Sequence, residues 1–189
     1  GLIQHMQQTD LLDLQAEYVD LFDRTPSLDL YLFEHIHGDS RKRGQALWDL
    51  NNVYEQAGLF NKSEHTPDYL PLFLEYMSTL PLQDAREELN SAINVIGIVG
   101  ARLEKRGTPY AAVFRALSDI SSRKPDEKTI AKALEKDSGR PLTQKELDET
   151  WEEQFAFADE MQTDGSGCPQ AEEMLSRMTE EVKGERHGV

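Results

Sequence analysis

The sequence predicts an all-α fold, a single-domain helical bundle, and three observations predict it. Apolar residues recur at the helical spacing of three and four along nearly the whole chain. No stretch alternates apolar and polar residues as a half-buried strand does, and no tandem repeat or low-complexity tract intervenes. With 189 residues, 38% of them hydrophobic, the chain is long enough to bury one core and too short to require two.

Residues 1–8 read as the end of a helix whose start lies upstream. Leu11, Leu14, Tyr18, Leu21 and Phe22 then line one side of an amphipathic helix, opposite Asp13, Glu17 and Asp20. A second helix is expected from about Ser27 to the His35 region, where Gly38 supplies a turn. Asp39 or Ser40 can cap a third, which carries Leu47, Leu50, Val53, Tyr54 and Ala57 and stops at Gly58. Asp68 is the expected N-cap of a fourth, because Pro71 then falls in the first turn, where a missing N–H loses no intrahelical partner. Leu72, Phe73, Tyr76 and Met77 form its apolar side.

The central helix is expected over about 81–106. Asp84, Glu87 and Glu88 stand near its start and Arg102, Lys105 and Arg106 near its end, a distribution that complements the helix dipole at both termini. Ile93 to Gly100 is apolar around almost the whole circumference, as in a helix enclosed by others. Gly97 and Gly100 each cost about 1 kcal/mol relative to alanine inside a helix, so close helix crossings are the expected compensation. A further helix follows Thr108-Pro109 through Tyr110, Val113, Phe114 and Leu117.

Beyond Lys124-Pro125 the core pattern weakens, but Thr143 and Glu146 form a capping box between Leu142 and Leu147 and predict a helix to about Met161. Leu147, Trp151, Phe155 and Ala158 would be its apolar stripe. The domain division that follows is a bundle over 1–161, then 162–189 as a flexible linker with a short amphipathic tail bearing Met174, Leu175, Met178 and Val182.

The formal charge of -15, from 35 acidic and 20 basic residues, repels nucleic acid and anionic lipid and attracts basic segments. Cys168 is the single cysteine and cannot form an internal disulfide, so a reducing, cytoplasmic setting is expected. No apolar run is long enough for a membrane span and no signal peptide opens the chain. A phosphate loop, a dinucleotide glycine fingerprint, a His-Glu-x-x-His zinc motif and a Gly-x-Ser-x-Gly elbow are all missing, so neither catalysis nor a cofactor is expected. His35 and His37 are the nearest approach to a metal site, but side chains two apart on a helix diverge.

Two blocks concentrate the remaining chemistry. Tyr31 to Gln45 packs Glu34, His35, His37, Asp39, Arg41 and Arg43 between apolar runs, and Pro67-Asp68-Tyr69-Leu70-Pro71-Leu72-Phe73 presents side chains from a loop stiffened by two prolines. Each residue has an ordinary structural reading: Asp39, Arg41 and Arg43 as a capped, solvated helix start, Asp68 as a cap, Tyr69 as a half-buried aromatic. The sharper reading is an apolar groove with a polar rim, where arginine forks grip carboxylates or carbonyls.

These blocks, Phe33-Glu-His-Ile-His-Gly-Asp-Ser-Arg-Lys-Arg-Gly-Gln and Pro67-Asp-Tyr-Leu-Pro-Leu-Phe-Leu-Glu-Tyr, resemble the NarJ branch of the TorD/NarJ family, with weaker support from Leu21-Phe22-Asp23-Arg24 and Trp151-Glu-Glu. Tyr69 stands where the family pattern usually has histidine. The resemblance implies a helical bundle of the TorD/NarJ type. It implies a cytoplasmic chaperone whose partner is the apo catalytic subunit of a respiratory nitrate reductase, bound through its N-terminal leader until molybdenum cofactor and an iron–sulfur centre are inserted. On that reading Tyr31, Leu72, Phe73 and Tyr76 receive apolar leader residues. Glu34, His35, His37, Asp39, Arg41, Arg43 and Asp68 fix orientation, with Tyr69 as a hydrogen-bonding aromatic. His35 and His37 could make affinity pH-dependent, and the Met174–Val182 stripe could compete for the groove. The competing classes are a helical adaptor with a permanent partner and, last, a metal-dependent hydrolase built on His35, His37 and Asp39.

Overall fold

A computed structural model describes residues 1–37, 41–135, 137, 140–143, 145, 146 and 148. In chain order its helices are α1 (Leu2–Gln8), α2 (Leu11–Tyr18), α3 (Glu34–His37), α4 (Arg41–Gln56), α5 (Leu70–Ser78), α6 (Leu82–Lys105), α7 (Ala111–Ile120) and α8 (Glu127–Glu135). A π-helical turn, Val19–Asp23, prolongs α2, and a 3-10 turn follows at Pro26–Leu28. No strand occurs among the described residues, so the fold is all-α.

The central helix starts after Pro81 and ends at Lys105, close to where its charge distribution predicts. It packs against α5, α7, α8 and the 3-10 turn. Ala92, Val95, Ile96, Val99 and Leu103 of α6 are buried, and so are Phe33, Leu50, Val53, Phe73 and Phe114 around it. Apart from Ala92, each such side chain contributes about 1.5–3 kcal/mol on full burial.

The two central glycines mark close crossings. A Cβ at Gly97 would lie 2.5 Å from Pro125 Cβ, and one at Gly100 would lie 2.9 Å from Phe114 Cβ. Neighbouring asparagines organise the turn between α7 and α8. Asn90 Oδ1 accepts from the amides of Ser122 at 3.1 Å and Arg123 at 3.0 Å, while Asn94 Oδ1 accepts from the Asp126 amide at 2.9 Å. Asp126 then caps α8, which sequence periodicity did not reveal, by accepting from the Thr129 amide.

Helices α4 and α6 end alike. Gly58 has φ +78° and Gly107 φ +69°. Around Gly58 the amides of Gly58 and Leu59 bond back to Glu55 and Tyr54; around Gly107 those of Gly107 and Thr108 bond back to Glu104 and Leu103. Both are Schellman closures that need a left-handed residue at that position.

Two expectations are corrected. Residues 27–35 do not form one helix: after the 3-10 turn opened by Pro26 the chain becomes extended. The Asp29 carboxylate captures the Tyr31 amide at 2.8 Å, and Leu30 O and the Leu32 amide pair with Leu70 N and Asp68 O at 2.8 and 3.0 Å. Asp68 is not the N-cap of α5. Tyr69 occupies that position, with Pro71 in the first turn, and the Asp68 carboxylate turns the other way to bind Phe33. Farther along, Glu146 accepts from the Thr143 amide at 2.8 Å and its own amide meets Thr143 Oγ1 at 3.3 Å, a reciprocal capping box. Beyond residue 148 the helix expected to run to Met161, the linker and the tail lie outside the described residues.

Candidate functional site

The extended segment before α3 and the loop before α5 meet in one antiparallel bridge, Tyr31 to Tyr69. Asp68 locks the junction from inside. It is fully buried, its Oδ2 accepts from the Phe33 amide at 3.0 Å, and its Oδ1 accepts from the Thr66 hydroxyl at 2.6 Å. A buried carboxylate survives only with such donors around it.

Four rings gather on the outer side of this clasp. His65 stacks on Tyr69 with centroids 4.0 Å apart and planes 15° from parallel. Tyr31 lies 5.3 Å from Tyr69 and hydrogen-bonds His65 Nδ1 through its hydroxyl at 2.7 Å. The hydroxyls of Tyr18 and Tyr69 are 3.0 Å apart. Burial, followed by the Tyr69 hydrogen bond, pushes the Tyr18 hydroxyl far up; Tyr31 is raised by burial and then by the Asp29 carboxylate. Both phenols therefore stay neutral and available for hydrogen bonding.

Below the clasp lies a polar cluster. Glu34 pairs with Arg43 across the α3–α4 connection. Asp29 is raised from 3.8 to about 6, chiefly by burial, with Glu34 and Asp68 adding repulsion against the relief given by the Tyr31 amide and Arg43. His35 Nε2 lies 2.7 Å from the Asp29 carbonyl. Because a carbonyl only accepts, that nitrogen carries the proton. Burial holds His35 below its usual value, with Arg102 also acting against a charge, while the hydrogen bond to the Asp29 carbonyl opposes them.

A separate apolar groove of about 80 Å³ runs beside α5. Tyr54, Leu59, Phe60, Asn61, Leu72, Glu75 and Tyr76 line it, and Phe60 is 69% exposed. Tyr54 closes its floor, donating to Pro67 O at 2.9 Å and packing 5.0 Å from Tyr76.

The residues expected from sequence thus divide. Tyr31, Glu34, His35, Asp68 and Tyr69 come together at the clasp, joined by Arg43 through Glu34; Leu72 and Tyr76 belong to the groove. Phe73 is 0% exposed and sits in the core, which takes it off any receiving surface, and Asp68 is enclosed as fully. The side chains of His37 and Arg41, and all of Asp39, lie outside what the structure describes. Sequence reasoning missed Tyr18, Asp29, Phe60 and His65. Among the described residues no group of three or more His, Cys, Asp or Glu is arranged to hold a metal. No helix among them is long and apolar enough to cross a membrane.

Residues 1–116 match the protein family described as nitrate reductase delta subunit. The chain is 43% identical over 152 residues to the nitrate reductase molybdenum cofactor assembly chaperone NarJ of Escherichia coli strain K12, covering 79% of this chain and 64% of the relative. It is 41% identical over 144 residues to the probable assembly chaperone NarW of the same organism, covering 76% and 62%. To the probable NarJ chaperone of Bacillus subtilis strain 168 it is 33% identical over 104 residues, covering 55% and 56%. The chain therefore spans between 56% and 64% of the length of these relatives, whose names describe assembly chaperones rather than catalysts.

Proposed function

Because the chain belongs to the nitrate reductase delta subunit family, we propose that it is an assembly chaperone for a respiratory nitrate reductase. In this reading it works in the cytoplasm, holding the N-terminal leader of the apo catalytic subunit while molybdenum cofactor and an iron–sulfur centre enter that subunit, before the enzyme docks at the membrane.

One observation carries the leader-binding part: the apolar groove beside α5, with exposed Phe60 at its lip. Phe60 at the lip and the groove beside it offer apolar surface that a partner segment can cover. An amphipathic helix could lay apolar residues against Phe60, Leu72 and Tyr76. Glu75 at the edge, and the overall charge of -15, favour a client segment that is basic. Preformed rings in the groove reduce the entropy cost of capture.

Calorimetric titration with a synthetic peptide of the catalytic subunit's leader tests the reading. Micromolar or tighter binding that weakens at higher salt, and that falls by about tenfold in Phe60→Ser and Leu72→Glu, is expected. Absence of binding, or binding indifferent to both substitutions, would overturn it.

A further inference from the structure

The outer side of α2 is apolar and open. Leu12, Ala16 and Val19 fall at i, i+4 and i+7 and are all exposed, Leu12 by 73% and Val19 by 41%, with Leu11 beside them at 66%. No residue of α2 is buried. Apolar residues exposed singly are ordinary, but three at helical spacing make a stripe that a second helix fits.

The chain returns to this helix after α8. The Leu142 amide donates to Arg24 O at 2.6 Å and Arg24 Nη2 donates to Leu142 O at 3.0 Å, so both backbone groups of Leu142 are held at the end of the π-helical turn that prolongs α2. The Thr143–Glu146 box follows at once, Arg140 pairs with Glu146, and Lys145, Glu146 and Asp148 are helical. A helix therefore starts within a residue or so of a fixed point beside Arg24.

We propose that the occupant of the open stripe is residues 147–158 of this chain, a helix running antiparallel to α2 from the Arg24–Leu142 tether. Leu147, Trp151 and Phe155 lie on Val19, Ala16 and Leu12 respectively. The registers agree: Val19, Ala16 and Leu12 stand 5, 8 and 12 residues before Arg24, and Leu147, Trp151 and Phe155 stand 5, 9 and 13 residues after Leu142. At about 1.5 Å per residue the two series stay within about 1.5 Å of each other. The large Trp151 meets the small Ala16, a pairing that lets helices approach closely. Because the tether makes the contact intramolecular, a stripe too small to hold a separate partner is enough. Carboxylates flank both stripes, Asp13 and Asp23 exposed on one side and Glu149, Glu152 and Glu153 on the other, so the contact tightens as salt screens them. Leader capture has the opposite salt dependence, and the proposal does not depend on that reading.

Paired cysteines in the full chain carrying Cys168→Ser test the register. Under mild oxidation Val19→Cys with Leu147→Cys, and Leu12→Cys with Phe155→Cys, should each form an internal disulfide. The crossed pair Leu12→Cys with Leu147→Cys should not, because a bridge needs Cα atoms within about 7 Å. Separately, Trp48→Phe leaves Trp151 as the sole tryptophan. Its emission should lie at shorter wavelength than in the same chain with Leu12→Asp and Val19→Asp, and the difference should grow with salt. Leu12, Val19 and Trp48 are exposed, so these changes leave the core intact. Bridging of matched and crossed pairs alike, bridging of neither, or an emission unmoved by the two aspartates overturns the proposal. Disulfides between two molecules would assign the stripe to a second copy and overturn it equally.

Discussion

Asp68 reaches across 35 positions of sequence to accept the Phe33 amide at 3.0 Å, and it does so with no exposure to solvent. The carboxylate thereby fastens the segment before α3 to the loop before α5, beside the bridge that brings Tyr31 and Tyr69 together. Asp68→Ala leaves the Phe33 amide and the Thr66 hydroxyl without their acceptor in a buried place, which costs about 2–3 kcal/mol. Asp68→Asn retains one acceptor oxygen and should lose less. Urea unfolding checks both, and a wild-type midpoint for Asp68→Ala would show that the join is not needed for the fold.

Asp29 gives the fold a pH dependence of defined sign. Its carboxyl rises from 3.8 to about 6 in the folded chain, so between those values the folded protein holds the proton that the unfolded chain has released. Stability from this group is therefore present below about pH 4, declines as pH rises, and stays lower above about pH 6. Asp29→Asn removes the ionisation, while its amide oxygen can still accept from Tyr31. The variant should gain roughly 1–2 kcal/mol over wild type at pH 7, after allowance for partial exposure, and should match it at pH 4. Thermal unfolding across that range measures the difference, and a gap that does not vary with pH would contradict it.

Asn90 acts as a buried stop for α7. Its Oδ1 receives the Ser122 and Arg123 amides and the Ser121 hydroxyl, the last at 2.7 Å, while its Nδ2 donates to Ser122 Oγ at 2.8 Å. Asn90→Ala removes the acceptor of the Ser122 amide and leaves the Arg123 amide only Ser121 Oγ, at 3.2 Å, and should cost about 2–3 kcal/mol. Native-state hydrogen exchange should locate the damage, with Ser122 and Arg123 amides losing protection before those of mid-α6. Uniform loss along α6 would assign Asn90 to core packing instead.

What the sequence makes legible here is local. The charges flanking α6, the glycine at the end of α4 and the Thr143–Glu146 box are short-range signals, and the structure contains each of them. The clasp was not legible, because it joins Tyr31 to Tyr69 through backbone groups that any residue carries. Helical spacing over 27–35 misled for the same reason: Pro26 and the Asp29 side chain divert amides that a helix would use, and the replacement partners come from residues 68–70. At the site, Tyr31, Glu34, His35 and Tyr69 stand out in sequence by their density near one another. Tyr18 and His65 complete the cluster from separate segments, and nothing local marks them. Phe73 shows the reverse error, since an apolar residue on an amphipathic helix reads alike whether it meets a partner or the protein's own core.

Gly97 and Gly100 lie one helical turn apart, yet their replacement should have different consequences. Alanine at either position gains about 1 kcal/mol of helix propensity and meets a neighbour too close to accept a methyl group. At Gly100 that neighbour is Phe114 Cβ at 2.9 Å, held by the α7 backbone, and the Phe114 side chain is buried in the core. Helix α7 must move, so Gly100→Ala should lower global stability by about 1–2 kcal/mol. At Gly97 the clash is tighter, 2.5 Å to Pro125 Cβ, but Pro125 belongs to the turn leading into α8, a helix with no buried residue. Displacing α8 sacrifices little core, so Gly97→Ala should leave the unfolding midpoint nearly unchanged while amides of α8 exchange faster. Denaturant unfolding combined with hydrogen exchange separates the two cases. A larger global loss for Gly97→Ala than for Gly100→Ala would mean that α8, and not α7, is the closer structural partner of the central helix.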